Sequence, residues 1–522
     1  MSQKKKKRSL FDRFINTVEV AGNKLPTPFT LFLYLIVIIC ILSFILSSMG
    51  ASVTYMVAGK DGGAMKETTV SVVNLISKAQ FKSFLTDFTK TFIEFPPLGL
   101  LMIMMMGIGF VEETGFINAL MRKTLLSAPS FLITAVLAFV GVNANIASDA
   151  GMIFTATIGA ILFKSLGRNP YIGIVIGFAA GSGGFTANLF VAGTDALLSG
   201  ISESAAEAVG IATPIHPLIN YYFMATATFL ITGVVTLIAE KYIIPRLDAG
   251  SGTLEDQDLA SHELTTAEKK GLSNAGIATI IYIVIILALS IPKNGLLRAD
   301  NGTILPKSPL ISGIVPLIFF FFLTVGITYG VTTKYITSEK DIPQIMKNSL
   351  SGALTFLVVV LPSAIFIKFF NESQLTTVLA VKGSELLKEA NMGVIPLLLS
   401  FILLVALVNV FMTSGSSKWL ILAPIFVPMF AMLNLSPAVS QVAFRIGDSA
   451  TNIISPISSS LAVVIGIMEQ YNENKDKPVG IGTVISLTLP FALGILISMS
   501  LLLILWVTFD LPLGPGARIF LS

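Results

Sequence analysis

The sequence predicts an all-α polytopic membrane protein, with about nine transmembrane helices and two re-entrant hairpins arranged as an inverted repeat. Three observations carry this expectation. Charged residues make up 12% of the 522 positions and hydrophobic ones 54%, with a mean hydropathy of +0.83; soluble domains carry about a quarter charged residues. Apolar runs repeatedly exceed the roughly 18 residues that read as a bilayer span. Two of the apolar stretches, about 266 positions apart, are interrupted by Asn, Ser, Thr, Asp and Gly. These residues favour helix breaks, and each bare polar group costs several kcal/mol in hydrocarbon.

Residues 1–28 form a basic segment led by Lys4 to Lys7 and Arg8, expected to stay on the cytoplasmic side. The first apolar run, Phe29 to Ser47, is span-length and ends in no small-residue cleavage site, so it reads as an uncleaved span. Spans are expected near 29–48, 97–120, 171–196, 219–243, 274–292, 309–333, 350–370, 438–465 and 479–507. The stretches 129–164 and 395–432 are each too long for one span and too polar at the centre to face lipid. A hairpin that enters and leaves by the same side answers both problems, because its irregular tip is buried in protein.

The chain divides accordingly into a first membrane half (29–243), a linker (244–273) rich in Asp, Glu, Gly and Ser, and a second half (274–522). Span 97–120, a hairpin, and spans 171–196 and 219–243 recur as span 350–370, a hairpin, and spans 438–465 and 479–507. The first hairpin opens inward and the second outward. Val142-Asn143 aligns with Val408-Asn409, Ser148 with Ser414, and Asn169-Pro170 with Ser436-Pro437. With the N-terminus cytoplasmic and the C-terminus outside, the inner loops hold 20 of the 34 Lys and Arg and the outer loops 11, in line with the positive-inside rule.

Composition narrows the chemistry. One cysteine, Cys40, allows no disulfide framework, and two histidines, His216 and His262, offer no zinc spacing. The net charge of +4 reflects the N-terminal segment and says nothing about nucleic acid. No nucleophile–base–acid set is visible, so neither an enzyme nor a bound cofactor is expected. What stands out is the doubled polar interruption, the mark of discontinuous helices meeting at a midplane site in a carrier. Each tip offers freed carbonyls and side-chain oxygens for a hard cation, and nearby helix N-termini suit a carboxylate. The candidates for these roles are Asn143, Asn145, Ser148, Asp149, Ser182, Thr186 and Asn188 in the first half. In the second half the candidates are Asn409, Thr413, Ser414, Ser416, Asp448, Thr451 and Asn452. All of the first set are read as cation ligands, together with Asn409, Ser414, Asp448 and Asn452 of the second. Gly173, Gly177 and Gly181 form a small-xxx-small ridge suited to close helix packing.

Charged residues within apolar segments are costly and usually paired or functional. Arg445 and Asp448, three apart, share a helix face and are placed to pair. Asp195 is either the matching acid of the first half or a solvated residue at a span end. Glu112 and Glu113 read as interfacial. Lys368 and Lys418 either reach an anionic substrate or snorkel. Trp419 is either an interfacial-belt residue or an aromatic wall beside the second tip.

Nearly the whole chain resembles the AbgT family of p-aminobenzoyl-glutamate transporters. The resemblance is carried by Ser182-Gly183-Gly184-Phe185-Thr186-Ala187-Asn188-Leu189-Phe190 and Asp195-Ala196-Leu197-Leu198-Ser199-Gly200-Ile201. It is carried further by Trp419, Ala423-Pro424-Ile425-Phe426-Val427-Pro428-Met429, the run Arg445-Ile446-Gly447-Asp448-Ser449-Ala450-Thr451-Asn452-Ile453-Ile454-Ser455-Pro456, and Leu511-Pro512-Leu513-Gly514-Pro515-Gly516. The resemblance implies a homodimer in the cell membrane whose protomers each hold nine spans and two hairpins. It also implies ion-coupled movement of p-aminobenzoyl-glutamate, p-aminobenzoate or related compounds, with export of sulfonamide antimetabolites in some members. The family positions it marks here are Asp195, Ser416, Trp419, Pro437, Arg445, Asp448 and Pro456. Lys418, and Ser148-Asp149-Ala150-Gly151-Met152 at the first tip, depart from the family pattern.

The expected function is thus a secondary active carrier of aromatic carboxylates coupled to Na+ or H+. Arg445 would neutralise the substrate carboxylate, Trp419 would stack on its ring, and Asp448 with the tip oxygens would hold the cation. A dicarboxylate or other organic-anion carrier of the same architecture is the alternative. An ion channel is the more remote one, because channels usually build one pore from repeated filters.

Overall fold

The helices begin and end where local chemistry dictates. Pro28, Pro96, Pro170 and Pro437 each sit at the first turn of a helix, where the missing N–H costs nothing and φ is already helical. Thr265 and Glu268 bond each other's backbone N–H groups in a capping box. The computed structural model describes residues 26–57, 66–211, 213–247, 263–305, 307–472 and 478–521. Residues 1–25 of the basic segment and 248–262, half of the expected 244–273 linker, lie outside the described residues.

In chain order the elements are α1 (Pro28–Ser48), a two-stranded antiparallel hairpin of β1 (Ser52–Val57) and β2 (Lys66–Ser71), α2 (Lys78–Ile93), α3 (Pro96–Glu113) and α4 (Phe116–Leu126). Then come α5 (Ile133–Asn143), α6 (Ser148–Ser165), α7 (Pro170–Gly183), α8 (Gly193–Glu207) and α9 (Tyr221–Ile238), which runs on through a π turn to Leu247. The second part holds α10 (Thr266–Ser290), α11 (Ile314–Thr332), α12 (Asp341–Ser349), α13 (Leu354–Glu372) and α14 (Leu375–Glu389). It closes with α15 (Val394–Phe411), α16 (Gly415–Ala431), α17 (Pro437–Asn452), α18 (Ser459–Gln470) and α19 (Ile481–Thr508). Among the described residues eight helices are long and apolar enough to cross a membrane; α13 and α14, bent by 67°, make a ninth if they are one span.

The order α2 to α9 recurs as α12 to α19. Both expected hairpin stretches are divided at their polar runs, by a 3-10 turn at Ala144–Ala147 and by extended residues before Gly415. Several expected spans are corrected. The run 97–120 turns at Gly115, whose φ of +80° favours glycine. The runs 171–196 and 438–465 are each two helices, α7 with α8 and α17 with α18, because Gly184 to Ala192 and Ile453 to Ser458 leave the helix. Between the first two expected spans, residues 49–96 carry the strand pair and amphipathic α2.

Burial is distributed as in a membrane protein. The faces of α1 and α10 leave Val37, Ile38, Ile280, Ile281 and Val284 about half exposed, as suits lipid contact. In contrast α7 is almost wholly buried, as is α17 with its polar Ser440, Gln441, Arg445, Asp448 and Ser449. The glycine ridge packs α7 on α6: a Cβ on Gly173 would overlap the Gly159 carbonyl, and one on Gly177 the Thr155 carbonyl. Thr155 donates across that seam to Gly177 O at 3.2 Å. Contacts between the halves are reciprocal, with α8 packed on α16 and α18 on α6.

Candidate functional site

Two asparagines brace the two breaks in the same way. Asn145 Nδ2 donates to Gly184 O (2.8 Å) and Ala187 O (3.3 Å), and its Oδ1 accepts from Asn188 Nδ2 (3.1 Å). Asn409 Nδ2 donates to Asp448 O (2.6 Å), Thr451 Oγ1 (2.9 Å) and Asn452 Oδ1 (2.9 Å). In both sets the contacts lie 39, 42 and 43 residues downstream. Asn145 is therefore the counterpart of Asn409, and the sequence register that matched Asn143 to Asn409 is corrected by two residues. Asn143 turns to Leu189 N (3.1 Å) and borders an apolar cavity beside Phe190. Carboxamides suit this work because each supplies two donors and an acceptor to backbone that a broken helix leaves unsatisfied.

The charged residues pair between elements, Arg445 with Asp195 across the halves and Asp448 with Lys418 within the second. Arg445 Nη1 stands 2.7 Å from Asp195 Oδ1 and donates to Thr186 O at 3.1 Å. Asp195 caps α8 through its other oxygen, which accepts from Ala192 N at 2.8 Å. Asp448 pairs with Lys418 at 2.5 Å. The expected Arg445–Asp448 pair on one helix face thus gives way to two pairs, each between different elements. A buried acid needs a cation held at its own oxygen. Asp195 is buried, not a solvated span end, and Lys418 is fully buried, not snorkelling. Lys368 bonds Asp87 at 3.2 Å.

Between the halves lies a cavity of about 340 Å³. Ser182, Phe185, Thr186, Thr194 and Leu198 line it from the first half, and Thr413, Ser414, Gly415, Ser416, Phe444, Asp448, Asn452 and Ser460 from the second. Three helices start at its wall: α8 at Gly193, α16 at Gly415 and α18 at Ser459. Their free N–H groups and positive dipole ends favour an anion. Thr194 Oγ1 and Arg445 Nε are buried without a hydrogen-bond partner among the described residues. Thr186 and Ser449 hydroxyls, 2.6 Å apart, tie the first break to the last turn of α17 beside it.

The structure gathers part of the expected site at this cavity. Ser182, Thr186, Thr413, Ser414, Ser416, Asp448 and Asn452 line it. Asn145, Asn188, Asn409 and Thr451 sit behind it as braces. Only the backbone of Ser148 and Asp149 is described, at the start of α6. Trp419 does not line the cavity: it is fully buried, donates to Ser202 Oγ at 3.0 Å, and packs at a tilt against Phe444 with centroids 4.6 Å apart. It is neither an interfacial residue nor, in this conformation, the wall. Pro437 borders a separate 650 Å³ cavity, and Pro456 lies buried in the second break. Sequence reasoning passed over Phe185, Phe444, Thr194 and Ser460. Thr194 and Ser460 are each the second residue of the helix restarting after a break, a signal present in the repeat. Among the described residues no group of three or more His, Cys, Asp or Glu could hold a metal.

Comparison with known proteins gives a consistent picture. Residues 13–521 match the model of the AbgT putative transporter family. The p-aminobenzoyl-glutamate transport protein of Escherichia coli K12 is 37% identical over 500 residues, covering 96% of this chain and 95% of that protein. The crystal structure of the Alcanivorax borkumensis YdaH transporter, described as having an unusual topology, superposes with a TM-score of 0.86 at 32% identity over 94% of this chain and all of the other. The Neisseria gonorrhoeae MtrF structure, described as illuminating a class of antimetabolite efflux pumps, gives 0.90 at 36% identity over 97% of this chain and all of the other.

Proposed function

This chain belongs to the AbgT putative transporter family, a multi-pass membrane transporter, and we propose that it carries p-aminobenzoyl-glutamate-type aromatic carboxylates by alternating access, coupled to Na+ or H+. One observation carries the reading: a cavity between the two halves joins three helix N-termini to an aromatic wall. Its volume of about 340 Å³ falls in the roughly 300–1,000 Å³ range of small-molecule sites. The carboxylate would lie against the first turns at Thr194, Ser416 and Ser460. Phe185 and Phe444 would flank the ring, with Trp419 holding Phe444 in place. Arg445, already neutralised by Asp195, would hold the Thr186 carbonyl and so fix the shape of the first break. The carbonyls freed at the first break, with the side-chain oxygens of Ser182 and Thr186 beside them, would supply oxygen ligands for a coupling cation.

The division into halves at the 244–273 linker, re-entry of both polar stretches, inversion of the repeat and a homodimer belong to the same reading. So do a cytoplasmic N-terminus and an outer C-terminus, supported by the distribution of Lys and Arg. Similarity to MtrF favours export of sulfonamide-type antimetabolites as a second activity of the same site. Purified protein in liposomes is expected to accumulate labelled p-aminobenzoyl-glutamate when a Na+ or proton gradient is imposed. A folded protein giving no gradient-dependent flux would refute the proposal. Phe444→Ala is expected to lower uptake of the aromatic substrate about 5-fold while sparing an aliphatic dicarboxylate, since losing an aromatic contact of this kind costs about 1 kcal/mol. Equal loss for both substrates would favour the dicarboxylate reading.

A further inference from the structure

The two tip asparagines point their carbonyl oxygens at different chemistry. Asn145 Oδ1 accepts from the Asn188 amide at 3.1 Å. Asn409 has its amide hydrogens committed to Asp448 O, Thr451 Oγ1 and Asn452 Oδ1, and its carbonyl oxygen receives Lys418 Nζ. The same ammonium stands 2.5 Å from Asp448 Oδ1, with both side chains almost fully excluded from solvent. A carboxylate oxygen and an oriented carboxamide oxygen converging beside a helix break are ligands for a hard cation. Here the cation is a side chain, and Lys, a compact charge on a flexible stem, fits that role. The residue 39 positions after Asn145 is Gly184, where Asp448 follows Asn409, so the first half lacks the acid at this place.

We propose that Lys418 is a tethered cation filling the cation site of the second half, so that this half works without a free alkali ion. Deleting its ammonium should open a Na+ site between Asp448 and Asn409. The proposal rests on the reading that the hairpin tips hold cations. A mobile Na+ and the ammonium exclude each other there, because two like charges cannot share one buried carboxylate. Asp448 also fronts the substrate cavity, so the site's occupancy bears on the charge that the substrate meets.

The test is binding of radiolabelled Na+ to detergent-purified full-length protein, together with melting in NaCl against choline chloride at equal ionic strength. Lys418→Ala is expected to bind about one more Na+ per protomer than the wild type and to gain a saturable rise in Tm with NaCl. Lys418→Ala/Asp448→Asn is expected to lose both. Lys418→Gln, which fills the volume without charge, is the second variant. A variant that stays monodisperse only in Na+ supports the proposal. Variants indifferent to Na+, or collapsed in both salts, overturn it, as does wild-type Na+ binding that Asp448→Asn alone abolishes. These readouts need no substrate, so failure of the aromatic-carboxylate reading would show separately as absent flux in the wild type.

Discussion

Arg445 and Asp195 come from opposite halves and meet at 2.7 Å with almost no solvent contact. Removing one member of such a pair strands a buried charge, typically at a cost of about 3–5 kcal/mol. Asp195→Asn is therefore expected to lower Tm clearly and to abolish transport. Arg445→Met combined with Asp195→Leu is expected to recover much of the stability and none of the transport, read by melting and flux on the same preparations. His216, in the segment between α8 and α9, is held by burial below the usual imidazole range, partly offset by its bond to Pro515 O at 3.0 Å. Its Nδ1 accepts from Leu218 N, so it is neutral in the fold. A depressed folded value means that the unfolded chain binds the proton more readily. The stabilisation is complete above the unfolded value of about 6.5 and is lost as pH falls through the lower folded value. Melting between pH 8 and 5 should show a fall that His216→Asn flattens.

At the scale of elements, the seam between α6 and α7 has the least tolerance. The carbonyl of Gly159 lies where a Gly173 side chain would begin, so Gly173→Val must push the helices apart. Overpacking of this kind costs ~1–3 kcal/mol or more, and α7 carries the start of the cavity-lining break. Gly173→Val should reduce Tm and flux together, whereas Gly233→Ala, where a Cβ meets nothing within 4 Å, should change neither. The broken helices were legible in sequence because clustered Asn, Ser, Thr and Asp in an apolar run carry polar groups that lipid cannot satisfy, whereas glycine alone also serves close packing. The brace register was not: Asn143 and Asn145 both suit a tip, and only the common spacing to the downstream break identifies Asn145.

Over the whole molecule, apolar length and the recurring order of elements disclosed the architecture, since both are local properties of the chain. The pairing of charges was hidden, because Arg445 has Asp448 three residues away and Asp195 far off in sequence, and proximity on a helix says nothing about what packs opposite. Trp419 read as a belt residue or an aromatic wall and is neither; Phe444 reaches the cavity in front of it because α17 faces inward at that turn. What the fold assembles is a cavity lined from both halves, which we read as the architecture of a carrier. Counterflow in proteoliposomes tests that most directly. Vesicles preloaded with unlabelled p-aminobenzoyl-glutamate should speed entry of the labelled compound several-fold with no ion gradient present, and preloaded succinate should not. Entry that is unaffected by preloading, or equally speeded by succinate, would contradict the account.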